Sequence, residues 1–139
     1  MSFVSIIAEI ISILGTIPEI KEVHNFDKGK FTGYPAAVVY PSENSSDFET
    51  TTQNLRQYVF TIRVHVPLEK VGTLDHQTAD RILRETLDAI IAKFDNLFTL
   101  NGVVNFVNAT PSVWGYQTRE TGGLRVAEVR LACNKLATI

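Results

Sequence analysis

A chain of 139 residues, 45% hydrophobic and 20% charged, suits one domain spanning residues 1–139 that buries roughly 70% of its unfolded surface, so its core needs neither metal nor disulfide. A net charge of −2 gives no general pull towards nucleic acid or an anionic membrane. The single cysteine, Cys133, excludes an internal disulfide and fits a reducing cytoplasm.

The opening stretch, Met1 to Ile17, is apolar but has no Lys or Arg near its start and carries Glu9 in its middle. A signal peptide needs a basic leader, and a membrane span needs about 20 apolar residues without such a charge. The expectation is a soluble protein made in the cytoplasm. Ser2 is placed as N-cap of a helix that stops at Gly15, a residue free to take the left-handed conformation of a helix end. Phe3, Ile6, Ile7, Ile10, Ile11 and Leu14 follow the spacing of one helical face, with Val4 and Ile13 off that stripe. Such a helix must pack on a sheet, on a neighbouring subunit, or on both.

After Pro18, residues Ile20 to His24 predict a short strand, and Asn25 to Tyr34, with Lys28, Lys30 and two glycines, predicts a turn or loop. Pro35 to Tyr40 is an apolar run that reads as strand. Ser42 to Asn54, rich in Glu, Asp, Ser and Thr with only Phe48 to bury, predicts a mobile loop, either functional or simply solvated. In Arg56 to Val66 strict alternation sets Tyr58, Phe60, Ile62, Val64 and Val66 on a buried face. Gln57, Val59, Thr61, Arg63 and His65 fall on a wetter one, and Pro67 ends the strand.

Thr73 or Asp75 then caps a helix running to Phe94, whose stripe is Ala79, Ile82, Leu83, Thr86, Leu87, Ile90, Ile91 and Phe94. Asp80–Arg84 and Arg84–Asp88 are spaced to pair on its solvent side. Asn101-Gly102 marks a turn. Val103 to Trp114 reads as a strand interrupted near Pro111, Arg119 to Gly123 as a turn, and Leu124 to Leu136 as the last strand. Arg125 shares the parity of its inner residues Ala127, Val129, Leu131 and Cys133. The fold class expected is α+β: a mostly antiparallel sheet of about four to five strands packed against two helices, in the order α-β-β-β-α-β-β.

Chemistry is hard to find along this chain. His24, His65 and His76 lie on different elements with no ligand spacing, and neither HExxH nor a cysteine pair is present, so no metal is expected. His65, on the wetter face, reads as a surface residue. Cys133, on the apolar side of a strand, reads as a buried thiol. GxSxG, GxxxxGK and GxGxxG are all missing, so no catalytic residue and no cofactor is assigned. Trp114 and Tyr116, close to a turn, are either core aromatics or anchors for a partner.

The proline-flanked Tyr34-Pro35-Ala36-Ala37-Val38-Val39, the strand Tyr58-Val59-Phe60-Thr61-Ile62-Arg63-Val64, the helix with Asp80-Arg81-Ile82-Leu83 and the closing strand pair appear in an order that resembles the tail terminator (tail completion) proteins of long-tailed bacteriophages. The resemblance rests on element order, size and strand texture rather than on a motif. It implies a structural virion protein, not an enzyme: a subunit of a homo-oligomeric ring, usually a hexamer, that caps the tail tube and offers the joining surface to the head. The partners implied are other copies of the chain, the major tail tube protein and a head–tail connector protein, with DNA passing through the lumen without specific binding and no membrane.

On this expectation Glu43, Asp47, Phe48, Glu49, Lys28, Lys30, Trp114 and Tyr116 face the tube, neck or lumen. Acidic Glu43, Asp47 and Glu49 would repel passing DNA phosphates, while Ile7, Ile11, Arg63 and His65 line the subunit interface. Three other readings stay open: another neck or connector subunit, a small ligand-binding or enzymatic α+β domain, and a cellular adaptor.

Overall fold

The computed structural model describes residues 3–26, 33–48, 53–68, 76–119 and 122–138. In chain order these form α1 (Phe3–Leu14), β1 (Glu22–His24), β2 (Ala36–Phe48), β3 (Gln53–Leu68), α2 (His76–Asn96), β4 (Phe106–Arg119) and β5 (Gly122–Thr138). The strands make one sheet in the order β1-β2-β3-β5-β4, antiparallel except for the parallel β1–β2 pair. The protein is therefore α+β, with the expected element order.

Both helices lie on one face of the sheet, α1 over β1 and β2, α2 over β3, β5 and β4. From α1 come Ile6, Ile10, Ile13 and Leu14, and from α2 Leu83, Leu87, Ile90 and Phe94, all buried against Phe60, Ile62, Val64, Val129 and Leu131 of the sheet. Ile13, off the predicted stripe, is buried as well, whereas Val4 is 76% exposed. Thr86 sits in the apolar stripe of α2 because its hydroxyl donates back to the Ile82 carbonyl at 2.8 Å, which satisfies the polar group locally.

Several expectations are corrected. Gly15 does not close α1 in a left-handed conformation: Gly102 is the positive-φ glycine among the described residues. Instead α1 winds down through tight turns, in which Thr16 N–H donates to the Ile13 carbonyl and Ile17 N–H to that of Leu14. The predicted Ser42–Asn54 loop is largely strand, since β2 continues to Phe48 and β3 starts at Gln53, with Ser45 opposite Gln57 and Phe48 opposite Asn54. Polar side chains on both faces are compatible with a hairpin once the neighbouring strand supplies backbone partners, and β5 pairs β3 as far as Gln53↔Thr138. A register shift between Pro41 and Glu43 marks a bulge, where the Ser42 hydroxyl donates to the Val59 carbonyl at 3.1 Å.

The face of β3 expected to be wet is also largely covered. Val59 and His65 are buried there with Ala36, Val38, Val126 and Ala132, and Tyr34 and Tyr40 pack over Ala36 and Val38. Alternation located the two faces correctly, but it carries no information about what lies over the second. β3 also runs one residue past Pro67, and β4 begins at Phe106 rather than Val103.

Candidate assembly surfaces

The edge strand β4 is broken by a register shift between Pro111 and Trp114. The bulge turns Val113 and Trp114 outward, and they are 56% and 40% exposed. Ser112 ties the bulge down by donating its hydroxyl to the Glu128 carbonyl at 3.3 Å.

Trp114 is held by Arg125 of β5, whose guanidinium carbon lies 5.7 Å from the ring centroid, within cation–π reach. Arg125 is itself fixed three ways. Its Nε donates to Asp80 Oδ1 of α2 at 2.6 Å, its Nη1 donates to the Gly115 carbonyl at 2.7 Å, and its side chain is only 14% exposed. One indole face is thus backed by a neutralised cation, while the residue stays partly exposed. A rigid, partly exposed Trp beside an Arg is the residue pattern of a contact hot spot.

The backbone edge of β4 is guarded. Val107 N–H points away from β5 and donates to the Phe98 carbonyl at 2.7 Å. Ladder alternation then aims the same side of Ala109 and Pro111 outward, and Pro111 offers no N–H there. With the bulge beyond it, the first half of this edge is a poor template for another strand.

The other face carries a half-buried polar group. Arg63 Nε stands 3.5 Å from Glu128 Oε2, an ion pair by distance, yet the nitrogen makes no hydrogen bond. The Tyr40 hydroxyl is raised above its ordinary range, first by burial and then by the Glu128 charge and hydrogen bond, against the opposing pull of Arg63 and Thr61.

These positions sort the expected contact residues. Trp114 is exposed at the edge, and Tyr116 lies two positions on in β4, opposite Arg125. Glu43, Asp47 and Phe48 occupy ladder positions of β2 opposite Val59, Leu55 and Asn54, not a loop. Lys28, Lys30 and Glu49 lie outside the described residues. Ile7 and Ile11 are half-buried at the rim of the core. Arg63 is half-buried against Glu128. His65 is fully buried within its own chain, so it has no surface to offer a neighbour, and both its surface reading and its place in a subunit interface are corrected.

The pairs expected on α2 also differ, for Arg81 meets Glu85 at 3.3 Å and Asp80 turns to Arg125. Sequence reasoning passed over Val113, Phe98, Phe106 and Phe26, all exposed. The one signal for the Arg125 clamp was its inward parity.

Cys133 is buried, and burial pushes its thiol up to about 12. Among the described residues no group of three His, Cys, Asp or Glu side chains is placed to hold a metal ion, and no helix is long and apolar enough to cross a membrane. Fold and surface define an α+β domain with a guarded sheet edge and a clamped aromatic upon it. Comparison with protein-family models finds no match, and a search of curated proteins finds no relative.

Proposed function

We propose that the protein is a structural virion subunit, a tail terminator whose copies close into a ring that caps the tail tube and presents the joining surface to the head. The observation that carries this reading is Trp114, a rigid aromatic clamped by Arg125 and left partly exposed on an edge strand whose backbone is guarded. Such a surface recognises a partner through side chains. The order of elements agrees with the tail-terminator resemblance.

The long β2–β3 hairpin adds support. β2 has 13 residues, about 43 Å at about 3.3 Å each, against about 18 Å for the 12 residues of α1. The part of β2 past its bulge therefore outruns that helix and forms an arm suited to reaching the adjoining tube or neck. Catalysis has no part in this function. The work is geometric: a repeated shape that fits the end of one assembly and receives another, in the virion.

The test is a phage carrying a nonsense allele of this gene, grown with and without complementation. The expected lysate holds filled heads and unjoined tails, and complementation with a tagged chain places ring density at the head-proximal end of the tail. Joined, infectious particles without the protein overturn the proposal. Ring density inside the head vertex assigns the chain to the connector instead.

A further inference from the structure

Among the described residues the large hydrophobic side chains left exposed are Phe98, Phe106, Val113, Trp114, Val4 and Phe26. They divide between opposite sides of the molecule. Val113, Trp114 and Phe106 belong to β4, and Phe98 is tied to it through the Val107 N–H. Val4 belongs to α1, and Phe26 follows β1, the strand at the other end of the sheet order.

Helical geometry sharpens the second group. Glu9 of α1 accepts a 2.7 Å hydrogen bond from Asn101, in the turn that follows α2, so this flank of α1 looks across the sheet towards α2. At 3.6 residues per turn, Val4, Ile7 and Ile11 project from the other flank, towards the β1 side. Ile7 and Ile11 are half-buried there and Val4 is exposed. The turns after α1 lead into β1, which packs beside the helix, and Phe26 lies two residues past that strand.

We propose that the α1 flank of one copy, Val4, Ile7 and Ile11 with Phe26, seats against Val113 and Trp114 of the next copy. A head-to-tail contact requires two unlike surfaces on opposite sides of one subunit, and repeating it either closes a ring or grows a filament. A two-fold dimer would need only one such surface. The electrical match is also right: Asp80 neutralises Arg125 behind the indole, and the facing flank of α1 is aliphatic. The inference rests on the ring reading above and names the surfaces that make it.

Two double variants test it, Val113→Asp with Trp114→Ser to block the β4 side, and Val4→Asp with Phe26→Asp to block the flank. The single exposed-site variants Val113→Asp and Val4→Asp guard against misfolding, which circular dichroism monitors. In sedimentation and native mass spectrometry the unmodified chain gives one closed oligomer. Each double variant is monomeric at tenfold higher concentration, and an equimolar mixture of the two gives a species of two subunits that grows no further. A monomeric unmodified chain overturns the inference, and so does a folded double variant that still forms the closed oligomer. In the latter case the ring reading survives with other surfaces. If the variants behave as expected but tails terminate and join normally with both, the surfaces stand and the virion role falls.

Discussion

Removing Asp80 or Arg125 probes a polar contact that joins α2, β5 and the edge strand. The pair is 2.6 Å long, with the Arg125 side chain 14% and the Asp80 side chain 29% exposed. A hydrogen bond to a charged group contributes about 1.5–3 kcal/mol, and the partial exposure of Asp80 trims this by screening, leaving a coupling of about 1–2 kcal/mol. Asp80→Ala also removes the carboxylate facing a mostly buried guanidinium, which keeps the Gly115 carbonyl and the Trp114 ring. Its total cost is therefore set at about 2 kcal/mol, whereas Arg125→Met leaves a carboxylate that water can reach and costs slightly less.

With a urea slope of about 1–3 kcal/mol per molar, the Asp80→Ala midpoint falls by roughly 1 M. Trp114 is the sole tryptophan of the chain, so its fluorescence reports this cluster directly. Arg125→Met should raise acrylamide quenching of the native protein, because the indole loses the group that backs it. The assay is a double-mutant cycle by urea denaturation with quenching measured alongside. A coupling below about 0.5 kcal/mol, with unchanged quenching, refutes the clamp.

Phe60, fully buried between the helices and the sheet, should cost about 3–5 kcal/mol when cut to alanine, a large share of a typical total of about 5–15, while Val4→Ser changes monomer stability by less than about 0.5. Denaturant titration checks both, and a mild Phe60→Ala effect means the core has been misplaced. Gly102→Ala should destabilise by about 1–2 kcal/mol although a Cβ there meets nothing within 4 Å, because φ is 91° and the cost lies wholly in the backbone. A neutral outcome in thermal melts contradicts that backbone.

The Cys133 thiol, raised from 9.0 to about 12 by burial, stays protonated in the folded chain while the unfolded chain ionises. The stability it preserves is complete below pH 9 and is lost as pH rises towards 12, and Cys133→Ala removes that slope. Iodoacetamide labelling followed by mass spectrometry should detect modification only after unfolding, so rapid labelling of the native protein disproves the burial. On the proposed tail-terminator reading, replacing Glu43, Asp47 and Glu49 together with alanine leaves ring size unchanged and slows DNA ejection. Ejection at the unmodified rate removes these residues from the lumen.

The stripe of α2 and the parity of β3 were readable because spacing encodes a face directly: Leu83, Leu87, Ile90 and Phe94 recur at helical period, Phe60, Ile62 and Val64 at period two. Ser42–Asn54 misled because polarity reports hydration, not conformation, and the partners that make it strand come from β3 and β5. His65 misled for a related reason, since cover over a sheet face comes from elsewhere in the fold. Asp80 and Arg125 are 45 positions apart, beyond the reach of any local pairing rule. Trp114 was singled out by residue type, but its clamp and its exposure needed the bulge at Pro111.

The shielding of β4 by Phe98, Pro111 and the bulge has a bearing on supply. A protein made faster than it is used reaches high local concentration, and a bare strand would let copies stack into fibres in the meantime. Here the first half of that ladder offers little to copy, so crowding favours side-chain contact over strand addition there.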